Sequence, residues 1–532
     1  MRAASPRVPG VSRTIALALA FLAILVPEAQ ATTFRVVVVP GLGLGDLPRL
    51  ARQGAVGLLV PGAGPETSAA LARAALARGE VRNSLRDGLP TGPILVPVET
   101  AAVLPAGPAI VLGLPVGGRQ ANKRRYPIVV IGRGYSGVLV SDSTRIPGLV
   151  SIADVAPTAL QREDGLRSRP DDGPAGALLD LDRRIATNND GRFAATLLFA
   201  GLVALLAFIW PRAALVGFAS GLAANLILGL AGVATIWVIY VTIALAVGVG
   251  GCLLAVALRS PTTIGLVFAL VLAAYLLALG VDGPSVALSP LGPSQNARFY
   301  GISNLLETLF LVPALAGAVL LTRRFGPIAF AAVALLAFVL VAGSRFGADG
   351  GGAIVLAAGY AALAALLFGA RALLISIGGA VAVLALLVGV DAATGASSHV
   401  TRAVEDGPGE LAADLGNRIV LSWERITATW YVGLLIAAGV LALAVLVART
   451  LRRSDPRARR AVPLSLAAAI AVSLVVNDSP NDVVLGGVVG YLAVERGMLS
   501  ARCAPGSFSL SRLRSLWSAA GVGRTSPPSP RP

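Results

Sequence analysis

Residues 302–321 read ISNLLETLFLVPALAGAVLL, a stretch with a single ionisable side chain, Glu307. An α-helix rises about 1.5 Å per residue, so a run of this length crosses the roughly 30 Å hydrocarbon core of a bilayer. Apolar runs flank it on both sides, at 193–210, 213–233, 235–258 and 262–281 before it and at 326–343, 351–369, 372–390, 430–448, 461–476 and 482–494 after it. The sequence therefore predicts an α-helical polytopic membrane bundle of about eleven transmembrane helices, the last two being the shortest. Composition agrees: 55% of the 532 residues are hydrophobic and 14% charged, too apolar for a chain that must clothe its core in polar side chains.

The net charge of +16 invites a nucleic-acid reading, but position decides otherwise. If the segment before residue 193 lies outside, alternate loops are cytoplasmic, and these hold Arg212, Arg259, Arg323, Arg324, Arg371, the cluster Arg449 to Arg460, and Arg502, Arg512 and Arg514. That is the positive-inside pattern, and nucleic acid is not needed to explain the charge. Cys252 falls in an apolar run and Cys503 in the tail, which excludes a disulfide framework and a cysteine metal site.

Working outward to the N-terminus, Arg2, Arg7 and Arg13 precede the apolar stretch 14–26 and the small-x-small motif Ala29-Gln30-Ala31. This reads as a signal peptide over 1–31, with an uncleaved anchor helix as the alternative; either places the next segment on the exported side. Residues 32–192 change character, with β-branched runs at 34–39, 55–60, 108–112, 128–131 and 137–140, Gly/Pro turns and an Ala-rich helical stretch at 68–78. They predict a small extracytoplasmic α/β domain, with 173–190 leading into the membrane as a helix or linker. The transmembrane region then occupies 193–497, with long outer loops at 282–301 and 391–429. Residues 498–532 read as a disordered basic cytoplasmic tail.

Arginines on the exported side oppose the topological bias, so each is a candidate for holding an anion. Arg298 and Asn304 sit at the entry to the span that carries Glu307; Arg345 and Asp349 flank a glycine-rich break between spans. The loop 391–429 holds the only histidine, His399, and then Gly416 to Arg425, which includes Arg418 and reads as an amphipathic helix on the outer surface. Each has a plain structural reading beside it: interfacial anchors for the arginines, a solvated loop residue for His399, a partner on a neighbouring helix for Glu307. Asn225, Glu307, Asp349 and the turn Asn477 to Asp482 between short final spans suit a transporter or flippase equally. No cofactor or metal is expected, and the partner that composition itself implies is the lipid bilayer.

Two family resemblances add to this. Phe34 to Leu42, Gly45 to Ala55 and Pro147 to Thr158, the last with an Asp-x-x-Pro-Thr turn, make the first third of the chain resemble the alkaline phosphatase and sulfatase superfamily, in a reduced form fused to bacterial envelope membrane proteins. That resemblance implies two divalent cations held by Asp and His and a metal-activated Ser or Thr. Here the domain has no histidine, and Pro40-Gly41 stands where the first metal-binding aspartate belongs. The expected domain is thus catalytically degenerate, with Thr67 and Ser68 unactivated and Asp46 and Asp154 serving as cap or turn residues. In the membrane part, the arginine-glycine-asparagine entry at 298–304, the Ser344-Arg345 pair and the outer loop with His399 resemble O-antigen ligase and polymerase-type glycan transferases. This second resemblance implies diphosphate held by Arg298 and Arg345 and His399 as a base toward an acceptor hydroxyl. The expectation is a bacterial envelope protein of the cell membrane that acts on, or binds, an anionic lipid-linked precursor at its outer face. A transporter, or a non-catalytic scaffold whose pseudo-phosphatase domain binds an envelope glycan or another envelope protein, are the alternatives.

Overall fold

The computed structural model describes residues 34–499 apart from 85–89, 91, 119, 294–298, 395–407, 428–429 and 456. The N-terminal α/β unit is built on strands β1 (Arg35–Val38), β2 (Ala55–Val60), β3 (Thr67–Ser68), β4 (Val98–Thr100), β5 (Ala109–Leu112), β6 (Gly117–Gly118), β7 (Tyr126–Ile131), β8 (Val138–Val140), β9 (Leu149–Ser151) and β10 (Arg167–Arg169). The main sheet runs β10-β8-β2-β7-β5-β1-β4, with β9 added on β2. β7 is antiparallel to both neighbours, whereas β1 is parallel to β4 and β5, and β2 is parallel to β8 and β9.

Both faces of this sheet are covered, which is why its strands are near-continuous β-branched runs rather than alternating ones. Val36 and Val38 turn to one side, against helix α1 (Ala69–Arg78) and the turn 152–159; Val37 and Val39 turn to the other, against Leu42, Leu47 and Leu50. Ser68 starts α1 by accepting from Leu71 N at 3.2 Å, and Gly79 ends it in the left-handed conformation, φ 64°.

The stretch that the sequence left as helix or linker is helix. α2 (Pro174–Ile209) runs unbroken from the sheet into the bundle, so Leu178 and Ile185 pack on the second sheet face while Phe199 and Val203 pack among the helices. Leu288 and Phe299 from the helical region join the same sheet-side cluster. The two parts therefore share apolar contacts at their junction.

The bundle continues with α3 (Pro211–Leu230), α4 (Ile236–Ala257), α5 (Pro261–Ala287), α6 (Asn304–Phe325), α7 (Pro327–Ala342), α8 (Gly350–Phe368), α9 (Ala370–Thr394), α10 (Pro408–Thr427), α11 (Trp430–Arg452), α12 (Arg457–Val476) and α13 (Pro480–Leu499). Among the described residues nine helices are long and apolar enough to cross a membrane: α2 to α6, α8, α9, α11 and α12. The protein is thus a multi-pass membrane protein. α7 is apolar but only 16 residues long, and α13 carries Asp482, Glu495 and Arg496. α5 kinks at Asp282 (φ −144°, ψ 68°), ahead of Pro284, and continues helically to Ala287.

α6 is the axis of the bundle. Every residue from Leu305 to Thr322 is buried, ringed by α5, α7, α8, α12 and α13. Because lipid is as apolar as leucine, close packing rather than water exclusion holds such helices together, and small residues set how near they come. Gly486, Gly487 and Gly490 let α13 approach Thr308, Ile470 and Val312. α3 meets α4 at Gly217 and Gly251, where a Cβ built on Gly251 stands 2.7 Å from Gly217 Cα. The same part of α4 widens to a π-helical turn at Ala246–Gly250.

This packing predicts a contrast within one helix. Gly251→Ala should lower the thermal midpoint of the detergent-purified protein, by about 1–3 kcal/mol of overpacking strain, whereas Gly248→Ala, whose Cβ meets nothing within 4 Å, should leave it unchanged or higher. Equal midpoints for the two variants would show that the α3–α4 contact is looser than described.

Candidate functional site

One group of polar residues in the bundle is fixed by helix ends. Asn304 opens α6 after the N-cap Ser303, and Asp349 caps α8 by accepting from Gly352 N at 3.1 Å. α12 ends in Asn477-Asp478-Ser479 before α13 begins at Pro480. These ends converge.

Glu307, 1% exposed, accepts from Asn477 Nδ2 at 2.6 Å, and that amide also reaches Ser473 Oγ at 2.8 Å. A Cβ on Gly352 would lie 2.9 Å from Glu307 Cγ, so only glycine lets α8 pass the carboxylate. One turn earlier, Asn304 Nδ2 donates to Asp478 Oδ1 at 2.8 Å. Arg425 of α10 pairs with the same carboxylate at 3.2 Å and donates to Ser479 Oγ at 2.7 Å, while Ser422 Oγ donates to the Asn477 carbonyl at 2.8 Å. Arg192 of α2 pairs with Asp482 at 2.8 Å. The structure therefore brings Asn304 and Glu307 into one cluster with α10, α12 and α13. Asn225 belongs to a separate buried group: its amide donates to Tyr275 Oη at 3.0 Å and Ser289 Oγ at 3.1 Å and accepts from Leu291 N at 2.9 Å.

Arg345 is placed differently. It is exposed and has no hydrogen bond or ion pair among the described residues, and it lines a cleft of about 160 Å³ at the junction. Arg145 of the α/β unit, Tyr300, Phe346, Leu279 and Gly283 also line it. Arg145 Nη1 donates to the Ser344 carbonyl at 2.6 Å, and its guanidinium lies 4.0 Å from the centre of the Tyr300 ring. Ser344 in turn donates to Asp391 at the end of α9. Two backbones are bent to make this contact: Arg145 (φ 55°) and Ala348 (φ 53°) occupy the left-handed region, uncommon for residues with a side chain. Gly301 (φ 76°) presses so closely on the Gly347 carbonyl that no Cβ fits between them.

Of the other sequence candidates, Arg298 and His399 lie outside the described residues, and Arg418 lies on α10 with its side chain outside them. α10 itself is the amphipathic helix that its sequence suggests: Ser422 and Arg425 face the α12–α13 turn while Ile419, Val420 and Trp423 are exposed. Sequence reasoning missed Arg145, Asn477 as the partner of Glu307, and the α2 pair Arg184 and Asn188. Arg184 donates to the carbonyls of Gly229, Ser285 and Leu288, and Asn188 Nδ2 reaches the Leu288 carbonyl at 2.6 Å. These carbonyls terminate α3 and α5, a pattern invisible without the fold.

Within the α/β unit, Ser68 Oγ is engaged as the cap of α1. Asp46 accepts from Gly43 N at 3.0 Å and from Arg49 at 3.0 Å. Asp154 Oδ2 accepts from Ser141 Oγ at 2.7 Å, Ser143 Oγ at 2.9 Å and Ser151 N at 2.8 Å. Burial pushes the Asp154 carboxyl above its ordinary range against the pull of those bonds. Among the described residues no three His, Cys, Asp or Glu side chains converge to hold a metal.

The Glu307–Asn477 pair makes a coupled prediction. Asn477→Leu should lower the thermal midpoint by removing a donor from a buried carboxylate, a loss of about 1–3 kcal/mol. Adding Glu307→Gln should recover part of it, because a neutral amide tolerates the apolar neighbour better. Strictly additive midpoints in the double-mutant cycle would mean that the two side chains do not interact.

No family model matches this chain, and no curated protein or solved structure matches it either. What the site does has to follow from the chemistry of its own residues.

Proposed function

We propose that this chain is a multi-pass protein of the bacterial cytoplasmic membrane that binds or acts on an anionic lipid-linked envelope precursor at its outer face. The single observation carrying the reading is Arg345, an exposed guanidinium with no ion pair among the described residues, in a cleft between the bundle and the α/β unit. Its fork geometry suits phosphate oxygens, and its place at a helix break between two apolar helices suits a headgroup.

Orientation follows from charge. α12 and α13 form an antiparallel hairpin of about 30 Å, with the Asn477–Ser479 turn at one end. At the other, Glu495 is fully buried 3.4 Å from Arg453 and 3.6 Å from Arg496, and Arg323, Arg371 and the Arg449–Arg460 cluster belong to loops of that same parity. An arginine-rich end reads as cytoplasmic, which puts the α/β unit outside and the C-terminus inside. The quoted turn Pro147 to Thr158, which forms β9 and then a helical turn, supports the reading of the α/β unit as a reduced phosphatase-like domain. We take it as a binding platform for an envelope glycan or partner protein, its caps and turns occupying the acidic residues that remain.

Glycan transfer of the ligase or polymerase kind is the finer form of this proposal, with His399 as the base. Transport is the second reading, favoured by a carboxylate, Glu307, buried where α6, α8 and α12 meet. Sensitivity of function to Glu307→Gln with His399→Ala silent selects transport; the reverse pattern selects transfer.

Topology reporters at Arg453 and the C-terminus should report cytoplasm, and those at Gly173 and Ser398 the exported side; a cytoplasmic Ser398 refutes the arrangement. In a deletion strain, mass spectrometry should find lipid-linked precursor accumulated, and Arg345→Lys should reproduce the defect because an ammonium lacks the bidentate fork. An unaltered lipid-linked pool would remove the function proposed.

A further inference from the structure

The helices and the α/β unit could have met through apolar contacts alone, and the cluster of Leu288 and Phe299 with the sheet already supplies these. At the cleft they meet through cations instead. Arg145 leaves the α/β unit on a left-handed residue, bonds the carbonyl immediately preceding Arg345 and stacks on Tyr300. Those contacts hold its guanidinium at the cleft that Arg345 also lines. Both guanidiniums line the same cleft, and among the described residues no carboxylate does. The left-handed backbone at Arg145 and Ala348 is strained, as it often is at binding sites. An anion in the cleft would have both guanidiniums among its lining side chains.

We infer that Arg145 and Arg345 form one phosphate-binding site, so that the α/β unit completes a headgroup site which the membrane bundle alone lacks. This rests on the outer-face reading for its biology but not for its chemistry. The ligand class is a phosphate or diphosphate ester: the cleft of about 160 Å³ holds several waters, hence a phosphate-sized group, and each guanidinium offers parallel N–H donors. Leu279 and Phe346 in the wall suit the apolar portion of a lipid ester just beyond its phosphate. Tyr300 acts as a positioning residue, keeping Arg145 planar against its ring.

The test uses the full-length protein in detergent, with inorganic pyrophosphate and geranylgeranyl diphosphate as probes, read by calorimetry and by shift of the thermal midpoint. Arg145→Gln and Arg345→Gln should each weaken diphosphate binding by about ten- to hundredfold, the loss of charge-assisted bonds, while Arg183→Gln, a salt-bridged arginine of α2 away from the cleft, should leave it intact. Gly283→Leu provides a second route, because Gly283 lines the cleft and a Cβ there meets nothing within 4 Å. It should abolish binding with both arginines present and the ligand-free midpoint unchanged. Tighter binding of the prenyl ester than of pyrophosphate identifies a lipid headgroup as the source; equal binding identifies a free phosphate ligand. Wild-type affinity in Arg145→Gln, or full binding in Gly283→Leu, overturns the shared site even if reporters and the lipid-linked pool uphold the outer-face function. Failure of wild type to bind either probe overturns it as well.

Discussion

A lipid bilayer provides no water to satisfy a peptide group, so each helix that stops or bends within reach of the hydrocarbon needs a donor or acceptor from another part of the protein. Most polar side chains of this bundle answer to that constraint. Arg184 and Asn188 lie on α2 yet serve the last carbonyls of α3 and α5. Asn225 holds Leu291 N, and Ser303 holds the Leu291 carbonyl, so the chain between α5 and α6 is tied at both sides of one residue. Ser422 takes the carbonyl of Asn477 where α12 ends. The long α2 matters because it is the one helix that runs through the junction, carrying donors to ends that the short connections cannot reach.

The same constraint separates structure from function among the charged residues. Glu307, Asp478, Asp482 and Glu495 each have a partner on another helix or an adjoining arginine, and their neighbours are shaped around them, as Gly352 is around Glu307. Such residues can be explained by assembly of the bundle before any ligand is invoked. Arg345 is not accounted for in this way: it caps no helix end, pairs with no carboxylate among the described residues and lines a cleft at the junction. A guanidinium left in that position near a junction gains most from a phosphate.

Coupling between the two parts of the molecule also passes through this place. Arg145 reaches the carbonyl of Ser344, whose hydroxyl reaches Asp391 in the last turn of α9. α10 then returns to the α12–α13 turn through Ser422 and Arg425. A ligand in the cleft would therefore touch, at one remove, both the α/β unit and the end of α9.

Class was legible in the sequence because it depends on composition and run length, which are one-dimensional: 302–321 reads as a span whatever packs on it, and the valine runs 34–39 and 55–60 read as buried strands. Arg345 and Glu307 were visible as candidates because charge in such surroundings is rare in itself. Their fates were not. Whether Glu307 is paired depends on Asn477, 170 positions away, and whether Arg345 stands alone depends on a turn of the α/β unit at Arg145, 200 positions earlier. The N-terminal strand runs predicted a sheet, yet the short strands β4, β9 and β10 carry too few residues to show a period, and their pairing comes from the neighbours they meet. Local pattern determined what each segment is; only the tertiary structure decided which polar groups cap helices and which remain to bind, because a hydrogen bond is a relation between two places in space and the sequence records one of them at a time.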